Sequence, residues 1–99
     1  MITFVRTVVA QPGKLFELIE AMQKSVPIFN RVTGATVKIA TTFGSDAMQI
    51  ALIANFESVA QVQEAGAKAA SDAEWRAVSA AAHALSVPGS IRDHIWTHI

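Results

Sequence analysis

The closing stretch VPGSIRDHIWTHI, Val87–Ile99, decides how the rest of the chain is read. Pro88 and Gly89 stop whatever precedes them, and the residues that follow alternate as a β-strand does. Arg92, His94, Trp96 and His98 fall on one face, with Ile91, Asp93, Ile95, Thr97 and Ile99 on the other. Few positions elsewhere combine polar chemistry with an aromatic so tightly. A strand here, behind a helix, completes an order that begins at the N-terminus.

At that end, Ile2–Ala10 (ITFVRTVVA) is rich in β-branched residues and alternates Ile2, Phe4, Arg6 and Val8 against Thr3, Val5, Thr7 and Val9. Gln11–Pro12–Gly13 breaks it. Lys14–Val26 reads as a helix with Leu15, Leu18, Ile19, Met22 and Val26 on one stripe and Phe16 at its margin. Pro27 is expected to end that helix, which leaves Ile28–Thr33 as a connection and Gly34 as a turn. Two strands follow, Ala35–Phe43 and Ala47–Phe56, with the hairpin signal Gly44–Ser45–Asp46 between them. Ser58 or Asn55 is placed to cap a second helical region, with Gln61 at capping-box spacing from Ser58. Val59, Val62, Ala65–Gly66 and Ala69 make a stripe of small residues suited to close packing. Ser71 or Asp72 then starts a second segment, Ala73–Leu85, carrying Trp75, Val78, Ala82 and Leu85 at helical spacing.

The resulting order, strand, helix, strand, strand, helix, strand, is that of a ferredoxin-like βαββαβ α+β fold. Its antiparallel sheet has helices on one face. Residues 1–99 are expected to form one domain, with no linker and no repeat beyond the β-α-β echo. Leu52 with Ile53 and Ile95 with Trp96 cannot all face the helices, so the bare side of the sheet calls for cover. A second copy packed sheet to sheet would supply it. The composition agrees: 52% of residues are hydrophobic and 16% charged, against about 25% charged in soluble domains generally.

Eight basic residues balance eight acidic ones, and no basic run or basic aromatic stripe of the kind nucleic acid needs is present. The absence of cysteine excludes disulfides, thiolate metal sites and cysteine nucleophiles. No apolar run is long enough for a membrane span. MITFVRTVVA lacks the pattern of a signal peptide, so a cytoplasmic protein is expected.

Five stretches together resemble the dimeric α+β barrel superfamily, which includes antibiotic-biosynthesis-type monooxygenases and NIPSNAP-like proteins. They are QPGK at Gln11–Lys14, the strand pair around Phe43–Met48, FES at Phe56–Ser58, SDAEWRAV at Ser71–Val78 and VPGSIRD at Val87–Asp93. The resemblance spans the chain, and none of these stretches is a catalytic signature. It implies a homodimer with two sheets face to face, a terminal strand reaching the partner, and a small ligand held in an internal cavity. Some members oxidise polyketide aromatics without a cofactor. Others degrade haem with an asparagine on the first strand, a tryptophan, and a histidine on the second helix. Here the first strand offers Arg6 and Thr7 and no asparagine, Ser79 falls near the position of that histidine, and His83 lies one turn later.

Candidate chemistry is sparse. His94 and His98 lie roughly 13 Å apart along a strand, too far to share a metal ion, and no other metal site is expected. One account of the closing strand makes its polar face an interface with Trp96 as anchor. The sharper account puts His94 in a ligand pocket as proton carrier, with Trp96 and Arg92 against the ligand. Arg6 lies on a strand expected to be buried on both sides, where a charge needs a partner. Asp93, Asp46 or a bound carboxylate could serve, making Arg6 half of an ion pair or an anion anchor. Trp75 fits either core or pocket wall, and His83 a half-exposed surface. The expected whole is therefore a homodimer that binds a small organic molecule. Two accounts of its activity stand: oxidation or isomerisation of an aromatic compound without a cofactor, Arg6 holding an anionic oxygen and His94 handling the proton; or a non-catalytic dimer in which these residues only pack.

Overall fold

In a computed structural model describing residues 1–42 and 48–99, β1, Ile2–Val9, is one of two central strands of the sheet. It pairs antiparallel with β3, Gln49–Phe56, and with β4, Arg92–Thr97; β2, Lys38–Thr41, pairs with the far side of β3. The order is β2-β3-β1-β4. Three helices complete the chain: α1 (Leu15–Thr33), α2 (Val59–Ala70) and α3 (Ala73–His83). This is the expected ferredoxin-like α+β arrangement. The hairpin residues Gly44, Ser45 and Asp46, with Phe43 and Ala47, lie outside the described residues.

Alternation along β1 assigns the two faces. Ile2 and Val8 are buried on the side the helices cover, packed with Ala54, Phe56 and Ala65 at one end and with Leu18, Met22 and Ile50 at the other. Leu18 and Ile50 are the largest fully buried side chains. In α2, Ala65 and Ala69 make the buried contact, because small side chains let a helix lie close to a sheet. Gly66 does not contribute as expected. A Cβ added there would meet nothing within 4 Å.

Both predicted N-caps of the second helical region form. Ser58 accepts a hydrogen bond from the Gln61 amide at 3.2 Å, and the Gln61 side chain accepts from the Glu57 amide at 2.6 Å. Asp72, the second of the two candidates there, accepts from the Trp75 amide at 2.9 Å and starts α3. At the other end of α3, the side chain of Gln11 donates to the carbonyls of Ala84 and Ser86, and its amide to that of Leu85. These bonds hold the carbonyls just beyond the helix, which ends at His83, short of the expected Leu85.

Helix α1 corrects the expectation for Pro27. It runs through the proline to Thr33, so Ile28–Thr33 is helix and not a connection. The ring removes one hydrogen bond, to the carbonyl of Gln23, but Gln23 and Pro27 are both exposed and that carbonyl can be hydrated. Beyond it Phe29 packs against the core and against Trp75. Gly34, at φ 76°, caps the end and donates to Asn30 at 2.8 Å. Asn30 also explains why β2 begins at Lys38, three residues later than expected. Its side chain accepts from the Val37 amide at 2.9 Å and donates to the Val37 carbonyl at 3.4 Å, so neither is free for a strand partner. Phe16 is 82% exposed and does not widen the stripe of α1.

Since Pro27 keeps its place through contacts made after it, Pro27→Ala should restore the missing bond and raise stability by about 1 kcal/mol after the lost rigidity of the unfolded chain is offset. Urea unfolding checks this; a less stable variant would show that the ring is needed for the path of the helix.

Candidate functional site

Between the sheet and the helices lies a partly open cavity of about 270 Å³. Phe4 on β1, Phe29 on α1, Phe56 on β3 and Trp75 on α3 supply its aromatic wall. Phe4 and Phe56 meet edge to face with centroids 6.5 Å apart, and Phe29 and Trp75 meet at 6.0 Å, tilted by 53°. Gly66 of α2 also borders it, and a Cβ added there would meet nothing within 4 Å.

Polar chemistry enters the cavity on β1 and β4. The register sets Arg6 opposite Asp93, and the guanidinium grips the carboxylate in a fork, Nε to Oδ1 at 2.8 Å and Nη2 to Oδ2 at 3.0 Å. Of the partners considered for Arg6, Asp93 is the one engaged; Asp46 lies outside the described residues. The guanidinium also stands 5.8 Å from the centre of the Phe4 ring, within cation–π range. The hydrogen bonds to Asp93 raise the Arg6 pKa above the ordinary arginine value; burial, next in size, pulls it down, and the Asp93 charge adds a smaller rise. Arg6 is therefore charged at every working pH. Both side chains remain partly open to solvent, 38% and 43% exposed, so the pair is a modest contributor to stability.

The sites expected from sequence divide between two faces. Arg6 and Trp75 line the cavity. His94, Trp96 and Arg92 do not. They are paired with Val5, Thr3 and Thr7, the β1 residues that alternate with Arg6, and so project from the opposite side of the sheet. Within one chain Arg6 and His94 cannot act on the same molecule, which corrects the expected Arg6–His94 site. Arg92 is engaged locally, donating to the carbonyls of Gly89 and Ile91 at 2.6 and 2.9 Å. Trp96 is 66% exposed. His98 joins a polar row on that outer face, 2.6 Å from the hydroxyl of Thr3, which donates to Asn55 at 2.7 Å.

Two polar groups of α3, Ser79 and His83, line the cavity without having been expected there. The signal was present. Trp75, Ser79, Ala82, His83 and Ser86 follow helical spacing, but the stripe was centred on Val78 and Leu85 because those are the larger aliphatics. No group of three or more metal-ligating side chains comes together among the described residues, and no helix among them is long and apolar enough to cross a membrane.

Solved structures share this architecture. A NIPSNAP family protein from Agrobacterium tumefaciens superposes with a TM-score of 0.88 at 19% identity, over 99% of this chain and 85% of the other. An uncharacterised NIPSNAP domain protein from Burkholderia xenovorans gives 0.86 at 14% identity, over 100% and 95%. SnoaB, a cofactor-independent oxygenase from Streptomyces nogalater, gives 0.70 at 18%, over 98% and 91%. At these identities the likeness is one of fold. No protein-family profile matches the chain, and no curated protein does.

The Arg6–Asp93 pair gives a test of the site's electrostatics. Because the Arg6 pKa is raised on folding, the stability it adds is fully present below the unfolded arginine value and is lost only as pH rises through the raised one, at the alkaline extreme. Asp93→Asn should therefore lower stability by under about 1 kcal/mol, and by the same amount at about pH 6 and about pH 9. A loss that grew towards pH 9 would mean that a different group titrates against Asp93.

Proposed function

We propose that this chain forms a homodimer that binds a small aromatic molecule in the cavity between sheet and helices, in the cytoplasm. The single observation that carries the proposal is the cavity itself: four aromatic rings surround a space bordered by Gly66, with a charged pair and an imidazole in the lining. Close-packed interiors of small domains leave few voids of that size, and mostly apolar pockets with a few polar groups are the common form of small-molecule sites.

Oxidation without a cofactor is the reaction class we attach to it, by likeness of fold to the oxygenase SnoaB. An electron-rich aromatic alcohol that loses its proton can pass an electron to dioxygen directly. His83 is the cavity group suited to take that proton, in place of His94, since histidine is the side chain that most readily exchanges protons near neutral pH. The engagement of Arg6 with Asp93 favours a second account, in which the cavity holds its ligand without turning it over.

Homodimerisation is supported by the bare face of the sheet. All six residues of β4 are exposed, and Val5, Ile53 and Trp96 lie on the side without helices. Light scattering at micromolar concentration should return twice the chain mass, and Trp96→Glu should return the monomer mass. A monomer in the unsubstituted protein refutes the dimer.

For the cavity, Gly66→Leu is the informative change. It fills space without a backbone clash and favours the helix by up to about 1 kcal/mol. The variant should be at least as stable as the parent yet lose the quenching of Trp75 by 1-naphthol, measured with Trp96→Phe in the background. Retained quenching would remove the cavity as the binding site. Dioxygen uptake with the bound naphthol separates the two accounts: uptake lost in His83→Ala supports oxidation, and no uptake leaves binding alone.

A further inference from the structure

We propose that the Arg6–Asp93 pair selects uncharged planar aromatics carrying a hydrogen-bond donor beside an acceptor, and that Asp93 is the residue that turns organic anions away. The proposal rests on the cavity being a ligand site.

A lone arginine in an aromatic cavity would be an anion anchor. Here it is not alone. Of the five guanidinium N–H groups, Nε and Nη2 each give one to Asp93, which leaves one on Nη2 and two on Nη1. Each oxygen of Asp93 accepts one of these bonds and keeps capacity for another. Both side chains border the cavity and neither is sealed off. Donors and acceptors are thus presented side by side, by a unit whose net charge is zero.

An organic anion approaching the free edge of Arg6 also approaches the carboxylate held within 3.0 Å of it. The carboxylate's repulsion offsets part of the guanidinium's attraction, while the anion still gives up its hydration to enter a space walled by Phe4, Phe29, Phe56 and Trp75. A neutral group with donor and acceptor on adjacent atoms meets the opposite situation. Its N–H or O–H bonds to an Asp93 oxygen, its carbonyl accepts from an Arg6 N–H, and no charge is stripped of water. Primary amides, lactams and enolised hydroxy-ketones on an aromatic ring have that form. Asp93 thereby sets specificity through its charge, and Arg6 is held by Phe4 and Asp93 so that its free edge keeps one orientation.

The test compares 2-naphthamide with 2-naphthoate, which share size and shape and differ in charge. With the unsubstituted protein, binding followed by the indole N–H resonance of Trp75 should be about tenfold or more tighter for the amide. Asp93→Asn removes the opposing charge and should reverse the order, with the naphthoate about tenfold tighter than the amide. Equal binding of the two probes by the unsubstituted protein, or tighter binding of the naphthoate, overturns the inference while leaving the cavity as a ligand site. Binding of neither probe removes that site and the inference with it. Should Asp93→Asn fail to fold, the preference of the unsubstituted protein decides alone. If the variant folds and still prefers the amide, Asp93 is not the selecting residue and the inference fails.

Discussion

Arg6 sits on a central strand, between β3 and β4, and points to the face that the helices cover. An aliphatic residue there would let the layers close. A guanidinium cannot be packed over without losing its hydration, so the structure supplies a carboxylate on the next strand and leaves the layers apart. The consequences run outward from that residue. Opposite it on β3 is Leu52 and on β4 is Asp93, and the aromatic rings gather around the space that remains. The two buried clusters lie on either side of it, one at the Val8 end of β1 and one at the Ile2 end. The cavity is the gap between two cores that a charge keeps from merging.

That constraint also fixes register. A shift of one residue between β1 and β4 would bring Arg6 level with Arg92 or His94 in place of Asp93, leaving the guanidinium without its counter-ion and opposite a group of like or no charge. The same alternation that points Asp93 inward points Arg92, His94 and Trp96 outward. Cavity and bare face are therefore two readouts of one pairing, and neither can change register without the other.

Most of the fold was legible because each element depends on short-range rules. Strand alternation and the Ser58 and Asp72 caps need only neighbouring residues. The misjudged boundaries depend on contacts further along the chain. Pro27 ends a helix only if nothing beyond it holds the helix together, and Phe29 and Asn30 do so through Trp75 and Val37. The site was legible in halves. Arg6, Trp75 and the Asp93 partner could be named, yet His94 was grouped with Arg6 because the two histidines and the tryptophan cluster along the closing strand. Neighbours on a strand point apart, so a pairing of Arg6 with Asp93 already excludes His94 from the same pocket. His83, expected at a half-exposed surface, is exposed and also borders the cavity. Its polarity hid it within a helical stripe sought through aliphatic residues.

What joins the two faces is β4. Among the described residues it pairs with β1 alone, its six residues are all exposed, and the described helices leave it uncovered. On the inner side the Arg6 fork is the polar contact that holds it, and on the outer side Trp96 stands largely in solvent. Backbone displacement of such an edge strand moves successive side chains together. A partner that settles on Trp96 and His94 therefore steadies Asp93 one residue away, and with it the free edge of Arg6. In the proposed dimer, cover on the outer face and the position of Asp93 in the cavity would be coupled through the backbone of that one strand.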